Sequence, residues 1–213
     1  MITVAVVNLK GGTTKTTSSA FFLHALAESG LNVLGVDADP QGSLVSWSEQ
    51  ADWELPVIGM AVNNLHKQLP GVAGDQRIGE RYDAVVIDTP PLEDHRGIVM
   101  STLRAATHVV MPMAPTPIEY ERLSAVRSAL DDAADLRPDG EAPAFRVLLT
   151  RTVPNAASTE GYREAISAEG IAVLRASVGR LERFAQAYGD RVSNALNTAY
   201  GDALYEVLEG VAA

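Results

Sequence analysis

A single stretch near the N-terminus, VVNLKGGTTKTTSSAFFLHAL (residues 6–26), narrows what this chain can fold into more than any other. It runs from apolar, β-branched residues through a glycine pair into a helix-forming segment. Gly11 and Gly12 let the backbone turn tightly, so that consecutive N–H groups point inward at an anion. The helix that follows directs its N-terminal dipole at the same place. Lys15 adds a point charge suited to β- and γ-phosphates, and the Thr16 hydroxyl is placed to ligate Mg²⁺. The strict spacing GxxxxGK[ST] is not met, because Leu9 and Thr14 occupy the two glycine positions. The pattern present is KGGxxK[ST], with an extra lysine, Lys10, ahead of the glycines. Lysine is scarce in this chain: Lys10, Lys15 and Lys67 are the only three, so two of them flank one glycine pair. Where the other cations are arginines, that placement points to a use for the compact ammonium itself.

The rest of the chain alternates strand and helix. Strands are expected at 2–8, 32–39, 84–91, 108–113 and 145–150, with a short edge strand at 173–178. Helices are expected at 16–29, 43–50, 95–105, 117–134, 158–169, 180–188 and 198–209. Near-continuous apolar strands separated by helices predict an α/β fold with a mostly parallel sheet covered on both faces, in one domain spanning 1–213. The Pro- and Gly-rich loop at 136–143 joins a helix to a strand and does not read as a boundary.

Two of these strands end in carboxylates, at the edge where open α/β sheets bind ligands. VVID (85–88) closes on Asp88, a candidate for holding Mg²⁺ through one of the waters that ion keeps. LGVDADPQGS (34–43) closes on Asp37 and Asp39. Taken alone, each acid reads equally as a cap or turn residue. In order after the phosphate loop, they read as parts of one nucleotide-hydrolysing site.

Together, KGGTTKT (10–16), DADPQ (37–41) and DTPP (88–91) resemble the deviant Walker A, ParA/MinD class of P-loop ATPases. The resemblance extends from Met1 to about Leu208 and is strongest in the first 90 residues. It implies ATP and Mg²⁺ as cofactors. Gly11, Gly12, Thr13, Thr14, Lys15, Thr16 and Thr17 would hold the phosphates, with Thr16, Asp37 and Asp88 about the metal. Asp39 would orient the attacking water, and Lys10 would reach across an ATP-dependent homodimer to the partner's phosphates. Thr14 departs from the glycine usual at its position, which implies a stiffer loop. Thr150 and Arg151, where LLTRTVPN (148–155) leaves its strand, are candidates for contacting the adenine, or else simply a strand end with a surface arginine.

The short ParA partition ATPases are the branch most resembled, because the first strand begins at residue 2, where longer relatives carry a helix-turn-helix arm. That branch implies a slow, partner-stimulated ATPase that segregates DNA. It would bind nucleoid DNA without sequence preference in its ATP state and answer to a ParB-like centromere-binding protein. The DNA contacts would come from Arg180, Arg183 and Arg191, with Arg163 and Arg175 as additions. A positioning ATPase with a protein cargo is the alternative, and a P-loop ligase of small-molecule metabolism a further one.

Composition trims these choices. A net charge of −10 confines any nucleic-acid contact to a local patch. The absence of cysteine excludes the iron–sulfur branches of the family and any disulfide. The C-terminal stretch AYGDALYEVLEGVAA is acidic, unlike the basic amphipathic helix with which MinD-like proteins meet lipid, so no membrane partner is expected. Its stripe Tyr200, Leu204, Val207 and Leu208 has helical spacing and reads as core. A cytoplasmic, nucleoid-associated location follows from the same reading.

Overall fold

Along the first strand, side chains alternate between two apolar clusters. Val4 and Val6 face one, Ala5 and Val7 the other, and all four are fully buried. A strand buried on both faces needs apolar residues at every position, which explains the unbroken run in the sequence. The computed structural model describes residues 1–74 and 82–209. Its elements are β1 (Ile2–Val6), α1 (Lys15–Glu28), β2 (Val33–Asp37), α2 (Ser43–Gln50), β3 (Val57–Gly59), α3 (Leu65–Ala73), β4 (Ala84–Asp88) and α4 (Arg96–Ala105). There follow β5 (His108–Met113), α5 (Pro117–Ala134), β6 (Ala144–Thr152), α6 (Ala157–Ala168), β7 (Val173–Gly179), α7 (Glu182–Ala185) and α8 (Ala199–Glu209).

The sheet has seven strands in the order β3-β2-β4-β1-β5-β6-β7, and each neighbouring pair is parallel. From β1 the chain steps outward through α1 and α2, whose buried residues join the Val4/Val6 cluster. It then returns and continues past β1 with α3, α4, α5 and α6 on the Ala5/Val7 face. This division keeps the crossovers right-handed in both directions. The reversal leaves a crevice at the C-terminal ends of the central strands, where β1 meets β4 and β5. Close packing of α1 over β2 depends on Gly35: a Cβ there would lie 2.9 Å from Leu23 Cδ2 and 3.0 Å from Val57 Cγ2.

Two elements were not expected from the sequence. β3 is only three residues long, and α3 contains Pro70, which removes an intrahelical donor and masks the helical pattern. One expected helix is cut short. In place of 180–188, only Glu182–Ala185 is helical, because Phe184 turns inward against Phe21 and Tyr200, with ring centroids 5.2 and 5.1 Å away. The acidic C-terminal stretch forms α8 as far as Glu209, and residues 210–213 lie outside the described residues. Among the described residues, no helix is long and apolar enough to cross a membrane.

Candidate functional site

The crevice is a cleft of about 840 Å³, lined at one end by residues 11–17 and at the other by the exits of β6 and β7. The loop after β1 is fixed at its root by Asn8, whose buried Nδ2 donates to Pro112 O at 2.8 Å. Gly12 and Thr14 both take left-handed backbone, at φ +71 and +66. Glycine does so freely, whereas a threonine there is under strain. Thr14 is the residue before α1, yet it makes no side-chain cap, and the first turn of α1 holds no acid. The helix therefore presents capless N–H donors to the cleft, as an anion site requires. Thr14 instead gives its hydroxyl hydrogen to Thr150 Oγ1 at 3.3 Å.

Lys15 is 7% exposed, and its Nζ donates to Lys10 O at 2.9 Å. Burial lowers its pKa, against the pull of Asp88, Asp39, Asp94 and Glu119. A bound polyanion would restore the balance toward the charged form.

Asp88, at the end of β4, is fully buried and accepts hydrogen bonds from Thr16 Oγ1 at 2.7 Å and Ser19 Oγ at 3.0 Å. Its pKa is pushed up to about 7 by burial, with the two hydroxyls and Lys15 opposing and Asp37 assisting. A hard cation held between the Thr16 hydroxyl and this carboxylate would favour the ionised form. Among the described residues no group of three or more acids or histidines is placed to hold a metal ion. Ser19 was not singled out in the sequence. Its spacing of three from Thr16 puts it on the same face of α1 and was the available signal.

Asp37 pairs in register with Asp88 on the neighbouring strand and is 1% exposed. Both its oxygens are engaged by backbone: Oδ1 accepts from Asp39 N at 3.0 Å, and Oδ2 from Leu44 N at 2.8 Å and Val45 N at 3.0 Å. Burial raises its pKa, with those three donors opposing. Asp37 thus folds the DADPQ loop about itself and caps α2. The effect is to set Asp39, half-buried, on the cleft wall with Gln41 and Ser43.

The far wall is formed by Thr150, Arg151, Val153, Arg180, Leu181 and Phe184. Thr150 is buried, while Arg151 is exposed at φ +53 and its guanidinium donates to Gly12 O. Tyr200 also lines the cleft, besides filling the core among Phe21, Phe22 and Phe184. Its hydroxyl faces Ser18 and Thr14, and burial pushes its pKa up to about 12. Helical spacing alone marked this residue as core and carried no hint of the second task.

The candidate DNA arginines Arg180, Arg183 and Arg191 are all exposed. Arg180 sits at the rim of the cleft. Arg183 lies over the Phe184 ring and shares a second groove of about 340 Å³ with Arg191, whose guanidinium is 3.7 Å from Asp52. Arg163 and Arg175 are engaged elsewhere, by Glu160 at 3.3 Å and by Glu206 and Glu209 at 3.7 Å each.

Residues 4–193 match the CobQ/CobB/MinD/ParA nucleotide binding domain. The chain is 31% identical over 199 residues to the "Maintenance of carboxysome distribution protein A" of Halothiobacillus neapolitanus, covering 90% of this chain and 85% of that one. It is 30% identical over 170 residues to the chromosome-partitioning ATPase Soj of Thermus thermophilus, covering 68% of this chain and 66% of that one. Among solved structures, the ATP complex of a Cyanothece McdA variant superposes with a TM-score of 0.71 at 20% identity, covering all of this chain and 96% of that one.

Proposed function

This chain belongs to the CobQ/CobB/MinD/ParA nucleotide-binding family, and from that premise we propose that it is a ParA/MinD-type ATPase that positions a protein assembly. The observation that carries the ATPase reading is the convergence of Lys15, the Thr16–Asp88 pair at 2.7 Å and Asp39 on one cleft at the ends of β1, β2 and β4. Lys15 and the donors of residues 11–17 hold the ATP phosphates, and Thr16 with Asp88 holds Mg²⁺. When bound, that ion neutralises charge on the phosphate oxygens. Asp39 orients the attacking water, which is most of what phosphoryl transfer asks of a protein. Lys10 reaches the nucleotide of a second copy, so that ATP closes a homodimer.

The partition of DNA with a ParB-like partner, expected from the motifs, becomes the second reading. Likeness over nine-tenths of the chain to a protein named for carboxysome distribution favours a protein cargo. The likeness to Soj and the exposed arginines of residues 180–191 keep DNA as a surface on which such a switch could move.

Sedimentation with ATP, paired with a hydrolysis assay, tests the main reading. Asp39→Ala is expected to bind ATP and dimerise while turnover drops on the order of 100-fold. Lys10→Ala is expected to bind ATP and stay monomeric. Normal dimerisation of Lys10→Ala would remove the cross-dimer role. For the second reading, ATP-dependent retention on duplex DNA should weaken with salt, with a log–log slope of about −4 to −5. Retention should vanish in the Arg180→Glu/Arg183→Glu variant, and retention indifferent to those charges would move the surface elsewhere.

A further inference from the structure

The extra lysine of the phosphate loop is already occupied. Lys10 Nζ is ion-paired with Glu93 Oε2, although the two side chains remain 42% and 32% exposed. We propose that Glu93 is the resting counter-ion of Lys10 and sets how much ATP is needed to bring two chains together; this rests on the dimer reading above.

Three observations make the contact more than a chance surface pair. First, the backbone after β4 runs alongside the phosphate loop: Leu92 N donates to Asn8 O at 3.1 Å and Glu93 N to Leu9 O at 3.3 Å. Glu93 is therefore tethered beside Lys10 whatever its side chain does. Second, the backbone of Lys10 is pinned, with its carbonyl accepting from Lys15 Nζ at 2.9 Å and Thr13 Oγ1 at 3.3 Å. Only the side chain is left to swing. Third, the sequence joins the two residues to the two halves of the site, Lys10 to the phosphate loop and Glu93 to the segment that follows Asp88 and its Pro-Pro break.

When Lys10 leaves for the phosphates of a second copy, its carboxylate partner stays behind, unpaired, beside the phosphate loop. Dimerisation must break one such pair in each chain. An exposed ion pair contributes up to about fivefold to an equilibrium, so two give up to about 25-fold. Glu93 acts through Lys10 and is a positioning residue, which makes the two separable by experiment.

The test uses the full chain in two arms. In the first, sedimentation measures the ATP concentration that half-dimerises wild type, Glu93→Gln and Glu93→Asp. Because each dimer takes up two ATP, a gain of about 25-fold in the dimerisation constant lowers the half-point by its square root. Glu93→Gln is therefore expected to dimerise at up to about fivefold less ATP, and Glu93→Asp to lie near wild type. The difference should shrink at high salt. In the second arm, nucleotide-free protein is pulse-labelled with an amine-reactive reagent and read by mass spectrometry, which three lysines make simple. Lys10 should label faster in Glu93→Gln, while Lys67 is unchanged. An unmoved or raised half-point in Glu93→Gln, with wild type dimerising normally, overturns the proposal alone. So does unchanged Lys10 labelling. Wild type that stays monomeric with ATP overturns the dimer reading and the proposal with it.

Discussion

At the β1–β4 end of the cleft, Lys15, Thr16, Ser19 and Asp88 are buried or half-buried and tied to one another or to the loop that carries them. At the β6–β7 end, the wall includes Val153 and Leu181, which are 57% and 45% exposed, and Arg180, also exposed. The first end holds Thr16, Ser19 and Asp88 in place before any ligand arrives, so that the backbone there has little to rearrange on binding. The second offers apolar surface and cations with few bonds to break, and so can adjust to what it covers. A site that must hold a phosphate strictly and release a product readily has reason to be built this way. Binding energy should accordingly concentrate at the phosphate end.

The most direct way to break that contrast is Lys15→Ala. Calorimetry should show ATP binding weakened at least about 100-fold, with the fold retained, because one buried charge-assisted contact to phosphate is lost. Comparable loss from truncating Leu181 would mean that the far wall carries the affinity instead.

Asp88→Asn sharpens the comparison through stability. The carboxyl pKa is raised from 3.8 to about 7 by burial, so Asp88 favours the fold fully below about pH 4, and that contribution is lost as pH rises through about 7. Without nucleotide, the asparagine variant should therefore be more stable than wild type at pH 8, by ~2–4 kcal/mol, and converge with it near pH 4. The same variant should gain nothing from Mg²⁺. Parallel unfolding curves at both pH values would deny the strain assigned to this end.

Smaller effects test the join between the ends. Tyr200→Phe removes a buried hydroxyl facing Thr14 and Ser18, and urea melts should show about 1 kcal/mol of lost stability. ATP affinity should stay within about threefold, since the ring still fills the core. Thr14→Gly relieves left-handed backbone at φ +66 but adds freedom to the unfolded chain. A net gain of about 0.5–1 kcal/mol is expected, together with loss of the Thr14–Thr150 bridge. A loss of stability would show that the bridge between the two ends outweighs the strain.

The phosphate end was legible in the amino-acid order because its chemistry is local. A strand, a glycine turn and a helix start lie within some twenty residues, and Asp88 and Asp39 each close an apolar run. Periodicity and motif spacing report such features directly. Even there, the order of residues did not tell that Asp37 spends both oxygens on the backbone of its own loop, or that Ser19 joins Thr16 on Asp88. Those facts depend on which strands become neighbours. The far wall was hidden more deeply. Thr150, Leu181, Phe184 and Tyr200 come from three separate elements, β6, α7 with its cap, and α8, and each reads as ordinary core or surface until the sheet order brings them to one cleft. The Lys10–Glu93 contact is of the same kind, since it exists only because β4 pairs with β1 and carries its following loop past the first. Local sequence determines which residues can do phosphate chemistry, because backbone conformation and side-chain type act over a few residues. Packing decides what each of them faces, because burial and charge depend on neighbours that lie about 70 to 180 residues away in the chain.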